Sequence, residues 1–263
     1  MRRAIWWAIL LFGLGVFSLI FYHAWQKLQP EPPAKPAPPA VTTPEPPAEP
    51  EIRFPVEGEP QLKLPALNES DAVVSEALAG LWDGGTLERF FNPKDFIRRV
   101  VATIDNLPRA KVALRLMPLK PVPGAFPATG AGEGLAMTPG NSARYAPYVR
   151  LFEATDSKKI VAAYVRFYPL FQQAYRELGY PQGYFNDRLV EVIDHLLAAP
   201  ELRGPVKLVQ PKVFYLYADP DLESRSSGQK IMMRMGAENT TRVKAKLREL
   251  RGELTRSEKR PAQ

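Results

Sequence analysis

The residues whose types and spacing could do chemistry lie close together: Asp187, Glu191, Asp194 and His195. Glu191 and His195 are four positions apart, so a helix would bring a carboxylate and an imidazole to one face as an acid–base pair. Two carboxylates of the group could also act as acid and base on a glycan. The surrounding pattern offers a plainer reading. Leu189, Ile193, Leu196 and Leu197 gather on one side of the same helix. Asp187, Glu191 and Asp194 then fall nearly opposite, where solvent is the default neighbour. Catalytic carboxylates need an apolar pocket that separates their pKa values.

Two other groups could bind rather than react. Tyr164, Tyr168 and Tyr175 share a broad aromatic face with Ile160, Phe167, Phe171 and Leu178. Such a face could stack on sugar rings or hold a peptide, although aromatic stripes at helical spacing are more often core. Val243, Leu247, Leu250 and Leu254 step by four, three and four, with Arg242, Lys244, Lys246, Arg248 and Arg251 around them. This is either a docking helix for a partner, an acidic polymer or anionic lipid, or a terminal helix packed on its own domain with a basic back.

Several chemistries find no support. The chain has no cysteine and two histidines, one of them, His23, beside the N-terminal apolar run. A zinc site would need mostly carboxylates, an uncommon ligand set. Gly130-Ala131-Gly132-Glu133-Gly134 lacks the preceding strand and following Lys-Ser/Thr of a phosphate loop. No Gly-x-Ser-x-Gly elbow supports a serine nucleophile. No metal and no cofactor is therefore expected.

The elements that would position these residues are mostly helices. Ser70 caps the first, with Val73, Val74, Ala77, Leu78 and Leu81 on one stripe, and Asp83-Gly84-Gly85 stops it. Asn92-Pro93 opens a second, carrying Phe96, Val100, Val101 and Ile104 and ending at Pro108. Residues 117–140 hold prolines, glycines and few large side chains, and read as a mobile insert. Asn141 or Ser142 starts a helix through Tyr145, Tyr148 and Leu151. Asp156 caps a segment from Ser157 to Leu178 that Pro169 must kink or divide. Asn186-Asp187 opens a helix through Leu197. Val206 to Val209 and Val213 to Tyr217 form two short strands across Gln210-Pro211-Lys212. Asp219-Pro220 starts a helix to about Met235, stopped by Gly236, and a last helix spans about Ala237 to Leu254. The outer domain, residues 66–255, is thus expected to be mainly α with a small β-hairpin, followed by a disordered tail at 256–263.

The N-terminal part is of another kind. Arg2 and Arg3 precede nineteen residues without a charge, Ala4 to Tyr22. As a helix these rise roughly 29 Å, close to the hydrocarbon thickness of a bilayer. Trp6, Trp7, Tyr22 and Trp25 suit the two interfaces. Residues 1–28 therefore read as an uncleaved anchor, with the N-terminus in the cytoplasm by the positive-inside rule. From Gln29 to Pro65, thirteen of thirty-seven residues are proline. Residues 29–65 read as a stiff linker that could extend on the order of 100 Å. The expected location is the bacterial inner membrane, single-pass, with the outer domain in the periplasm. There nucleic acid is not an expected partner, and an envelope protein or cell-wall component is. Of the net charge of +7, an excess of +5 lies in Thr241–Arg260, with eight Lys or Arg against three Glu.

Ordered phrases across the outer domain resemble one bacterial family. They are Asp105-Asn106-Leu107-Pro108-Arg109, Arg144-Tyr145 with Tyr148, and Tyr168-Pro169-Leu170-Phe171-Gln172-Gln173-Ala174-Tyr175. Leu178-Gly179-Tyr180-Pro181, Phe185-Asn186-Asp187-Arg188, Ile193-Asp194-His195-Leu196-Leu197 and Gly228-Gln229-Lys230 through Met235-Gly236 follow. The chain is similar over about residues 65–250 to the domain of unknown function numbered three thousand and fourteen. The resemblance implies no activity or cofactor. It implies that Asp105-Asn106, Arg109, Arg144 and Asp187-Arg188 belong to a pattern, as caps and charge-assisted hydrogen bonds between helices. Arg144 joins Arg242 and Lys246 as a candidate binding residue. The function expected is a tethered, non-catalytic binding or scaffolding module. The alternative is an envelope glycan hydrolase using carboxylates of the 186–197 helix.

Overall fold

Short polar side chains at loop ends set where several helices begin. The computed structural model describes residues 51–56 and 63–256. The anchor, most of the linker and the tail beyond Arg256 lie outside the described residues. Among these residues no helix is long and apolar enough to cross a membrane.

Helix α1 (Asp71–Ala79) follows Ser70, whose hydroxyl donates to the Leu67 carbonyl rather than capping the helix. Asp83-Gly84-Gly85 was expected to end helical structure. It instead opens α2 (Gly84–Phe90), because the Asp83 carboxylate accepts from the Thr86 amide and hydroxyl. The cap of α3 (Phe96–Asn106) also differs. Asn92 holds the Met117 and Leu119 carbonyls, and the amides of Asp95 and Phe96 donate to Asp71 of α1. One carboxylate thereby starts a helix that is not its own.

Helix α4 (Gly140–Ala154) leads into α5 (Ser157–Arg166), which Asp156 caps through the Lys158 and Lys159 amides. Pro169 sits in the first turn of α6 (Tyr168–Glu177), so the long aromatic segment is two helices meeting at Phe167. Helix α7 (Phe185–Leu197) follows, with Asn186 and Asp187 in its first turn. The helix expected from Asp219 to Met235 is divided into α8 (Pro220–Glu223) and α9 (Ser227–Arg234), the second capped by Ser226. Helix α10 (Ala237–Leu254) has the expected bounds. Gly236 starts it at φ 84°, and a Cβ there would lie 2.3 Å from Ser142 Oγ.

The segment 117–140 is not a structureless insert. It supplies β1 (Ala128–Thr129) and β2 (Ala136–Met137). These join β3 (Val206–Val209) and β4 (Leu216–Tyr217) in an antiparallel sheet of order β1-β2-β3-β4. Met137 pairs with Val206, and Leu208 with Tyr217. The hairpin is present but shorter than expected: Val213 and Phe214 lie in the turn, each 79% exposed. Inner residues Val206, Leu208 and Tyr217 pack on Met233 of α9.

The helices form two apolar clusters. One joins α1, α3 and α6 with Phe185 of α7. The other joins α4 and α10 with Val190 and Ile193 of α7 and Met232 of α9. The result is a mainly helical domain with a small antiparallel sheet.

Candidate functional site

Apolar positions on α4 cover more than one stripe: Tyr145, Tyr148, Val149, Leu151 and Phe152. Helix α5 adds Ile160, Val161, Ala163 and Tyr164. Side chains so spread need partners on two sides. Helix α10 packs on α4, α5 and α7, whereas α3 packs on α6 and α7. Helix α7 is common to both groups. Side chains of α1, α3, α4, α5, α7 and α10 line a half-enclosed cavity of about 550 Å³. Its size falls within the range of ligand pockets, about 300–1,000 Å³, while close-packed interiors hold few voids larger than a water molecule.

Leu151, Phe152, Val161, Leu189, Leu196 and Val243 all line the cavity and remain only half-buried. Val74, Ile97, Phe185 and Val192 line it as well and are 3%, 1%, 0% and 2% exposed. The polar tips of three aromatic wall residues, Trp82, Tyr148 and Tyr164, are engaged elsewhere. Trp82 Nε1 donates to Thr155 Oγ1 at 2.7 Å. The Tyr148 hydroxyl lies within hydrogen-bond distance of the Lys120 and Pro121 carbonyls, and that of Tyr164 donates to Asn186 Oδ1 at 3.1 Å. What they present to the cavity is ring carbon. Burial raises the pKa of Tyr145, Tyr148 and Tyr164, keeping them neutral.

The 186–197 carboxylates are each held by a different partner. Asp187 accepts the Arg53 and Phe54 amides at 3.0 and 2.8 Å, and Asn186 Nδ2 donates to the Phe54 carbonyl. Residues 51–56, assigned from sequence to the linker, are thus pinned onto α7, with Phe54 against the second cluster. Glu191 pairs with Arg188 at 3.0 Å. Asp194 takes both Nε and Nη2 of Arg251. Among the described residues no group of three or more His, Cys, Asp or Glu is placed to hold a metal ion.

His195 Nε2 lies 2.7 Å from Ser226 Oγ, which itself accepts the Gln229 amide as the α9 cap. The serine proton is then free for Nε2, an arrangement that suits a neutral ring. Burial lowers the His195 pKa from 6.5, and Arg188 and Arg225 add to this against the opposing pull of Glu191. A base with a depressed folded pKa binds fewer protons folded than unfolded, so its contribution to stability is complete above about 6.5 and fades below it. We expect the melting temperature to hold from pH 8 to 7 and fall between pH 6.5 and 5. His195→Gln should flatten that fall. An unchanged slope in the variant would assign the pH dependence to other groups.

Of the aromatic candidates, Tyr175 is core, 5% exposed and stacked on Tyr180 with centroids 4.6 Å apart. Tyr168 donates to Gln172 Oε1, which also accepts the Phe185 amide. Only Tyr164 of the three lines the cavity. Arg144 clamps the long loop through the Val122, Pro123 and Gly124 carbonyls and Asn141 Oδ1. Arg242 pairs with Glu153. Lys246 pairs with Glu249, which also accepts from Ser157. Lys244 reaches the Ala199 carbonyl and Glu201. These pairs lie on α10 as it packs against its own domain.

The polar phrases of the sequence meet at one place. Asp105, 2% exposed, pairs with Arg109 at 2.6 Å and Arg188 at 3.2 Å and accepts from Tyr180 at 3.1 Å. Next to it the Ser227 and Gly228 amides donate to the Arg109 and Leu107 carbonyls. A Cβ on Gly228 would lie 2.7 Å from Leu196 Cδ2 and 3.0 Å from the Leu107 carbonyl. Here α3, α7 and α9 are locked together.

Sequence reasoning missed the cavity. Its one visible signal was the breadth of the apolar surface on α4, where Val149 and Phe152 extend the Tyr145–Tyr148–Leu151 stripe.

A family model described as "Protein of unknown function (DUF3014)" matches residues 96–251, more than half of the chain. The match begins with α3 and ends within α10. No curated protein and no solved structure matches the chain.

Proposed function

The chain belongs to the family described as proteins of unknown function (DUF3014), and from that premise we propose that it is a membrane-tethered, non-catalytic binding module whose site is the apolar cavity. The observation that carries this is an opening of about 550 Å³ where the helical core would otherwise close. An empty apolar space of that size forfeits dispersion contacts and stability. A ligand that fills it restores them. The carboxylates once candidate for catalysis hold Arg53, Phe54, Arg188 and Arg251 in place.

The uncharged run Ala4–Tyr22 and the proline-rich stretch after it support a tether in the inner membrane, with the domain held outside on a long spacer. Such a module meets envelope proteins, the cell wall and the membrane surface. Its cavity takes an apolar group from one of them.

Trp82 lines the cavity and can report on occupancy. The other tryptophans, Trp6, Trp7 and Trp25, lie in the N-terminal region. Replacing those three by Phe in the full chain leaves Trp82 as the sole indole. 1-Bromodecane, whose bromine quenches only on contact, should quench Trp82 saturably in nanodiscs. Quenching that rises linearly without saturation would remove the cavity as a binding site.

A further inference from the structure

Resting on that cavity being the binding site, we propose that its ligand is the hydrocarbon chain of a membrane lipid, inserted tail-first with the polar head left outside. The wall selects for carbon. Trp82, Tyr148 and Tyr164 turn their polar atoms to Thr155, the Lys120 and Pro121 carbonyls and Asn186. The rest of the wall is almost wholly aliphatic and phenyl side chains.

That chemistry excludes the main competitors. A sugar would bring several hydroxyls and a peptide its backbone amides. Each buried without a partner costs about 1–3 kcal/mol by mutational measures. An acyl chain brings no polar group except at its head, and each methylene it buries is favourable. The cavity is half-enclosed, so a chain can enter while its head stays in water. Its volume of about 550 Å³ lies mid-range for pockets that bury most of a small ligand. The uncharged run Ala4–Tyr22, read as a membrane span, would keep the domain near a source of such chains.

The test uses the full chain with Trp82 as its sole tryptophan, reconstituted in vesicles of phosphatidylcholine brominated on one acyl chain. Unbrominated vesicles of the same lipid are the reference. Trp82 fluorescence should be lost in the brominated vesicles. Ala163→Phe and Val243→Phe each place a ring in the cavity from a different helix and should restore it, with melting temperatures at or above the parent. They should also weaken 1-bromodecane binding about tenfold, the equivalent of roughly two buried methylenes. If one variant fails to fold, the other carries the comparison. Trp82 quenched by bromodecane but not by brominated lipid would overturn the acyl-chain assignment and leave the cavity as a site for another apolar ligand. Quenching by neither would overturn both. Equal quenching by brominated lipid in the filled variants would place the contact outside the cavity and overturn the proposal.

Discussion

Asp105→Ala should cost more stability than any change at the four carboxylate and imidazole positions of α7. Asp105 is buried, with its side chain 3% exposed, and it engages Arg109, Arg188 and Tyr180. The two arginines are not equivalent. Arg109 is 54% exposed and can return to water, whereas Arg188 is 19% exposed and cannot do so freely. Its Nε already has no hydrogen-bond partner. Removing the carboxylate leaves the nearly buried Arg188 with only the 55% exposed Glu191 as ion partner, and breaking comparable buried pairs costs about 3–5 kcal/mol. For a domain of this size that lowers the melting temperature by roughly 6–20 °C. Arg109→Ala should cost about 1 kcal/mol or less, as exposed partners do. The two variants can be compared by circular dichroism at 222 nm on the full chain at pH 7. Equal losses would mean that Arg188 is not what makes Asp105 expensive to remove.

Much of the helical frame was legible because its signals are local. Gly236 and a run of helical spacing bound α10, and Pro169 divides α5 from α6. What failed was decided by distant partners. Asp83-Gly84-Gly85 looks like a terminator, since two glycines cost about 2 kcal/mol in helix propensity. The Asp83 cap and the burial of Phe90 outweigh that cost. Strands β1 and β2 have two residues each, too few for an alternating pattern, and gain their place by pairing Met137 with Val206. Asn92 looked like a cap, but its amide is drawn to carbonyls 25 and 27 residues on.

The candidate site shows the same division more sharply. On a helical wheel Asp187 faces away from the apolar stripe, as expected. What it meets there is backbone from 134 residues upstream, which no local spacing reveals. The cavity lies further still from local pattern. Periodicity tells which side chains of α3, α4 and α10 turn inward, but not whether opposing sets touch. Whether they touch is a property of the assembled fold.

Paired leucine truncations should therefore separate the packed core from the hollow one. Leu170 of α6 is 4% exposed within the first cluster and does not line the cavity. Leu151 of α4 lines it and is only half-buried. Leu170→Ala should lose both transfer energy and the contacts around a new void, about 3–5 kcal/mol. Leu151→Ala removes atoms that already face open space, so little is lost beyond partial burial, about 1 kcal/mol. The melting temperature should fall by roughly 6–20 °C for the first and a few degrees for the second. The order reverses when 1-bromodecane binding is the readout, since only Leu151 touches the ligand space. If Leu151→Ala instead destabilises as much as Leu170→Ala and leaves bromodecane binding unchanged, the helices close on one another in solution. The module would then have to bind through its surface.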